Sequence, residues 1–309
     1  NTNNSLFEEN TLPTNLADLS GNILGEDPLF KDLSTNYQLT RCSPVRNQGN
    51  NSDLPTDVLD LDNDTNFGEI ISVDFASATR VFDGMVDIGA VEFQSAFAFQ
   101  TVFVSAGHLT GNQDGTSWAN AYNHFQTAVR LSCSGDFIWV AKGTYKPSAD
   151  IYGNYHTTNP NNRANTFKLK SGVKIYGGFE GNETLLSQRN ITANPTILSG
   201  DLNNDDVVTG EGGSLSFANY INNSHHIIFA SAINNSLLDG FTIQSSYADN
   251  SLPVEERRGG GMFITSSFMT VENCTIKYNF GDQYGGGVYA YRSEIQFNSC
   301  SITHNETNW

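Results

Sequence analysis

Basic residues are scarce in this chain: 16 lysines and arginines face 33 aspartates and glutamates over 309 residues, a formal charge of -17 at pH 7. A surface of that sign repels phosphate and argues against nucleic acid as a partner. It favours solubility and tolerates divalent cations. No apolar run approaches the ~18 residues that a membrane-spanning helix needs. No charged-then-apolar leader is visible either, so any export signal is expected to lie outside this sequence. The cysteines are Cys42, Cys133, Cys274 and Cys300. Their spacing matches no zinc or redox motif, and four are too few for a disulfide scaffold in so long a chain.

Glycine, asparagine, serine and threonine are plentiful, a mixture that suits a turn-rich β protein. The clearest order is a repeat. "GGGMFITSSFMTVENCTIKYN" occupies 259–279, and "GGGVYAYRSEIQFNSCSITHN" follows at a shift of 26 residues. The shift lays Met262 on Val288, Met269 on Ile295, Cys274 on Cys300, Ile276 on Ile302 and Asn279 on Asn305. Within each short run the apolar residues alternate, which is strand periodicity. Three such runs per repeat describe one coil of a parallel β-helix whose inward side chains form ladders from coil to coil. "LLDGFTI", "DFIWVAKGTY", "TFKLKSGVKIYGGF", "NPTILSGD" and "HHIIFAS" read as earlier, less regular strands. The spacing after Ser117 predicts a helix there, with Trp118, Ala121, Tyr122, Phe125, Ala128 and Val129 on one face. It would cap the open end of the first coil.

"TVFVSAGHLTGNQDGTSWANAYNHFQTAV", "VAKGTYKP" and "GVKIYGGFEGNETLLSQRN" resemble the opening of secreted right-handed parallel β-helix proteins of bacterial surfaces. The glycine-triplet coils are similar to those of polymorphic outer-membrane, adhesin-like proteins. "GNILGEDPLFKD", "YQLTRCSPVRNQGNN" and "TRVFDGMVDIGAVEFQ" resemble the closing, choice-of-anchor Q type of segment of the same solenoids. Cys42 and "DLDNDTN" depart from that pattern. The resemblance implies an all-β chain in three parts: 1–94 closing one solenoid, a linker at 95–101, and 102–309 opening the next. It also implies display at a bacterial outer surface and tandem units in one chain. A polysaccharide, or a host or biofilm surface, would be the partner. The fold also hosts polysaccharide lyases, hydrolases and passive stalks, so these remain alternatives.

The candidate ligand-binding residues are Phe263, Tyr289 and Tyr291, which alternate with inward positions and should stack outward as a platform for sugar rings. A covering loop, the insertion at 253–258, is the competing expectation. Asp201, Asn203 and Asp205 repeat every second residue, as in the first half of a calcium loop, although Asp206 and Gly212 stand where glycine and glutamate belong. Calcium and a plain polar loop are both open there, and equally at Asp60, Asp62 and Asp64. No catalytic set is expected. The pair Asp205 and Asp206 lacks the companions of the pectin hydrolases, and Lys142, Lys146, Arg257 and Arg258 are the only tempting lyase bases. Lys142 and Lys146 read as solvated. His225 and His226 lack a third metal ligand of matching spacing. Cys274 and Cys300 read as buried thiols.

Overall fold

Short alternating runs punctuated by glycine and asparagine fold here into strands of two to six residues. In the computed structural model the described residues are 2–3, 6–7, 18–20, 22–24, 27–32, 36–96, 98–150, 159–210, 216–249, 251, 253 and 257–308. The chain is mostly β, and it divides into two compact units, Asn1–Ala98 and Phe99–Trp309, within the segment expected to link them.

In the second unit successive strands are dealt to different sheets. Phe167–Lys168, Ile228–Ser231, Met262–Thr265 and Val288–Tyr291 form a four-stranded parallel sheet. A six-stranded parallel sheet orders Thr101–Val104, Phe137–Ala141, Lys174–Phe179, Asn234–Asp239, Phe268–Glu272 and Glu294–Asn298. Gly143–Tyr145, Thr196–Ser199, Phe241–Gln244, Thr275–Lys277 and Ser301–Thr303 make a five-stranded one. Tyr247–Ala248, Phe280–Gly281 and Glu306–Thr307 add a short fourth. From Phe167 onward the chain visits the four-, six- and five-stranded sheets in that order and then returns to the first.

The register aligns like with like. Met262 pairs with Val288, Met269 with Ile295 and Ile276 with Ile302. The inner column of the six-stranded sheet runs Val102, Ile138, Ile175, Leu238, Val271 and Phe297. Leu238, Val271, Ile243, Met262 and Ile276 are fully buried, each worth ~1.5–3 kcal/mol of removed apolar surface. Glycines 260 and 261 owe their place to the neighbouring turn of chain. A Cβ on Gly260 would collide with the carbonyl oxygen of Phe280, and one on Gly261 would stand 2.5 Å from that of Gly287.

The expected helix is shorter than its apolar spacing suggests. Trp118–Asn120 is a single 3-10 turn, and the α-helix covers only Phe125–Leu131, with His124 at its N-cap. The backbone between them is used by the sheet. Tyr122 donates to Phe103 O and its own carbonyl accepts from Ser105, both at 2.9 Å. Tyr122 thereby makes a parallel bridge to Val104 on the edge strand. Phe125, Ala128 and Val129 still plug the core, and Trp118 packs edge-on against Phe103 at 4.8 Å.

Among the described residues of the first unit, buried carboxylates tie backbone segments together. Asp87 accepts from the backbone of Asn47 (2.6 Å) and Phe93 (2.7 Å), and Asp74 accepts from Glu92 N (2.7 Å). Arg80 pairs with the buried Glu92 at 3.2 Å. The short strand pairs Thr2–Asn3 with Asp18–Ser20, and Leu6–Phe7 with Ile23–Leu24, are parallel.

Candidate functional site

The segment after Thr196–Ser199 leaves the sheets, makes an antiparallel pair (Val207–Thr209 with Ser216–Ala218) and a 3-10 turn (Tyr220–Asn222), and rejoins at Ile228. At its base Asp201, Asp205 and Asp206 bring carboxylate oxygens within 4.8 Å of one another. Asn203, expected among them, is exposed instead. The reason is local: Asp201 accepts from the backbone N–H of Asp205 (3.2 Å) and Asp206 (3.4 Å), which turns those two inward and Asn203 out. Gly212 lies outside the described residues. Asn222 Nδ2 donates to Asp205 Oδ2 (3.0 Å) and Asn223 Nδ2 to Asp206 Oδ2 (2.9 Å). Burial raises the Asp206 carboxyl above its ordinary range, opposed by the Asn223 amide and the nearby Ser245 hydroxyl and reinforced by Asp201 and Asp205. Lys146 is half-buried rather than solvated: its Nζ donates to Leu202 O at 2.9 Å. Burial lowers its pKa against the pull of the three aspartates.

Asp206 and Ser246 line a cleft walled by Phe217, Tyr220, Tyr278 and Phe280. Tyr220 meets Tyr247 edge-on at 4.9 Å, and Phe217 meets Tyr278 at 5.6 Å. Sequence periodicity could not reveal this wall, because Phe217 and Tyr220 belong to the segment that departs from the repeat.

Phe263 and Tyr289 stand in register with Phe229 on the outer face of the four-stranded sheet. The rings lie near-parallel with centroids 5.9 and 5.7 Å apart. Each is half-buried, so the faces serve one another and the edges meet solvent. Arg258 adds a cover: its guanidinium lies 5.2 Å over the Tyr289 ring, and Nη1 donates to the Tyr289 hydroxyl at 2.9 Å. Residues 254–256 of the insertion lie outside the described residues. Tyr291 is 48% exposed and carries Arg292 over its ring.

The outer face of the six-stranded sheet holds an open groove of about 360 Å³. Lys174, Leu237, Phe268, Glu272, Glu294 and Gln296 line it. Lys174, Leu237, Thr270 and Gln296 are successive rungs of one outward column. Phe268, at 52% exposure, presents a ring to solvent. Beside the groove Arg189 pairs with the buried Asp239 at 2.5 Å.

The remaining candidates are dispersed. Lys142 pairs with Glu180, Arg257 with Asp282 and Arg258 with the tyrosines, so the four cations do not converge. Cys274 is buried and Cys300 half-buried; both are free thiols. Asp60, Asp62 and Asp64 do cluster, but their carboxylates accept from Thr65 N, Asp64 N, Ser72 Oγ and Asn66 N. Each is thereby engaged by its own loop.

His225 and His226 are structural. Nδ1 of each faces a backbone oxygen, Tyr247 O at 3.3 Å and Gly259 O at 3.2 Å. Burial pushes both down to about 4. An unfolded histidine takes up its proton near 6.5, so the unfolded chain binds more protons between pH 6.5 and 4 and stability falls as pH drops through that window. Between pH 7 and pH 5 the buried His226 should account for about 2 kcal/mol of lost stability. Thermal melts against pH check this. His226→Gln should flatten the slope, and an imidazole titrating near 6.5 by NMR would refute it.

Comparison with family models, curated proteins and solved structures finds no match. The functional reading therefore rests on geometry.

Proposed function

We propose that the second unit is a right-handed parallel β-helix, part of an exported bacterial protein that displays a carbohydrate-binding face at the cell surface. Three parallel sheets visited in rotation, with like residues in register, support the winding. The hand follows from the near-universal preference of parallel crossovers. The first unit, with two short parallel pairs beside an antiparallel pair of Phe30–Asp32 with Asn36–Leu39, is read as the closing segment of a preceding solenoid in a tandem chain.

The observation that carries the binding reading is the groove. It crosses successive strands and combines an exposed aromatic ring with amide, hydroxyl and carboxylate groups, the mixture that holds sugar hydroxyls beside apolar ring faces. Glu272 and Glu294 outnumber Lys174 there, which favours a neutral polysaccharide over an acidic one. The stack of Phe263 and Tyr289 is the less suitable platform because its faces are already engaged.

Retention of the whole chain on immobilised neutral and acidic polysaccharides tests this. Neutral polymer should retain it, and Phe268→Ala with Gln296→Ala should weaken retention about tenfold, equivalent to ~1.4 kcal/mol. Phe263→Ala with Tyr289→Ala should weaken it less. New unsaturated sugar ends, read by ultraviolet absorbance, would replace binding by lyase action. Absence of both signals would leave a passive stalk.

A further inference from the structure

We propose that Asp201, Asp205 and Asp206, completed by the side-chain oxygens of Asn222 and Asn223, form a calcium site that ties residues 201–206 to the turn at Tyr220–Asn222. The acidic cluster alone would not justify this. The independent observation is a surplus of buried acceptors beside it. Asn223 is fully buried. Its Nδ2 is committed to Asp206, which fixes the amide orientation, and its Oδ1 has no donor. Asn222 repeats the arrangement: Nδ2 reaches both oxygens of Asp205, and the buried Oδ1 is unpartnered. Asp206 Oδ1 is a third buried oxygen without a donor. A buried acceptor left alone is as costly as a lost hydrogen bond. Orphaned acceptors on three residues that bond to or belong to the carboxylate cluster suit a group that offers positive charge to several oxygens together, as a cation does.

Charge and donor type select the ion. Three carboxylates beside one ammonium, that of Lys146, leave two negative charges. Lys146 spends a hydrogen bond on Leu202 O and makes no ion pair with the aspartates among the described residues. Every donor is an oxygen, and no histidine or cysteine belongs to the cluster. That set suits a hard cation over zinc or copper. Five residues of an irregular segment fit the many-oxygen, variable geometry of calcium better than the strict octahedron of magnesium. The cluster of Asp60, Asp62 and Asp64 makes the contrast. It is exposed or half-exposed and its carboxylates are satisfied by its own loop.

The consequence is mechanical. The same segment carries Phe217 and Tyr220 over Tyr247 and Tyr278. An ion at its base would hold the aromatic wall closed. This inference is independent of the glycan reading, since the groove lies on another sheet.

The test uses the full chain, stripped with a chelator and titrated calorimetrically with calcium or magnesium, with melting temperature followed in parallel. Calcium should bind with a Kd below about 1 mM, in the range of extracellular sites. At about tenfold that concentration the second unit should melt roughly 3–5 °C higher. Asp205→Asn should weaken calcium at least about tenfold, as should the double change Asp205→Asn with Asp206→Asn. Should the double variant misfold by circular dichroism, the single one decides. Asp62→Asn with Asp64→Asn should leave calcium binding unchanged. No binding and no melting shift in the unaltered chain would overturn the proposal. Equal affinity in Asp205→Asn, or loss of binding in the Asp62/Asp64 pair, would overturn it too.

Discussion

Asn279→Leu should lower the stability of the second unit by about 3–5 kcal/mol, a drop in melting temperature of roughly 10 °C. Asn279 is 1% exposed, yet nearly everything around it depends on its amide. Its Nδ2 donates to Ile243 O at 3.1 Å, Lys277 O at 2.9 Å and Asn305 Oδ1 at 3.0 Å. Its Oδ1 accepts from Ser246 N at 3.2 Å. One side chain thus satisfies polar groups of three successive turns of chain. Leucine fills a similar volume and satisfies none of them, which leaves buried carbonyls and an N–H stranded. Asn305→Ala is the informative comparison: it removes the donor to Ile276 O (2.8 Å) and the acceptor for Asn279 in a more open setting. About 1–2 kcal/mol is expected there. Chemical denaturation of both variants checks the order. Equal, small losses would mean that the amide ladder contributes little.

The second large effect is expected at Gly260. Its φ is not positive, so turn conformation does not explain it. Contact does: the position of its missing Cβ is taken by the Phe280 carbonyl oxygen, with Ser246 Oγ 2.5 Å away. Gly286 stands in the same relation to the Glu306 carbonyl one repeat later. Backbone cannot move aside as a flexible side chain can, so Gly260→Val forces adjacent turns apart. A loss of about 3 kcal/mol or more is expected, with loss of the Ile227 N–H bond to Gly260 O (3.1 Å) following from the displacement. Gln296→Ala, exposed on a neighbouring sheet, should change stability by less than ~0.5 kcal/mol. A melt of Gly260→Val indistinguishable from that control would show that the turns are not in this contact.

These two positions show what a sequence can carry. The 26-residue shift sets Met262, Met269 and Ile276 against their partners because burial repeats wherever the strand does. It also aligns Asn279 with Asn305 and the glycines with one another. The helix after Ser117 is shorter than its apolar spacing because Trp118 and Tyr122 are apolar for a different purpose: one packs on Phe103, the other bridges to an edge strand. At the acidic loop, alternate spacing favoured Asn203, but a carboxylate that accepts the N–H groups four and five residues on selects Asp205 and Asp206. Asn222 and Asn223 come from a turn in the same segment, and nothing in local spacing announces that they return to the aspartates. The aromatic column was legible as a column. That its faces close on one another is a matter of ring tilt, 6° and 28°, which a sequence does not encode locally.

From Phe167 onward the chain gives one strand to each of the four-, six- and five-stranded sheets per circuit, and distance along the six-stranded sheet tests that order most directly. Thr101, Lys174, Thr270 and Gln296 stand on one outward column, with Phe137 and Leu237 as the intervening rungs. Spin labels introduced through a non-canonical amino acid leave the native cysteines in place. A pair at Thr101 and Gln296 should give a narrow distribution reflecting five strand spacings, a backbone separation of ~24 Å. Moving the second label to Thr270 should shorten it by one spacing, ~5 Å. A broad distribution, or a distance that does not step with the rung, would contradict the winding and the functional reading built on it.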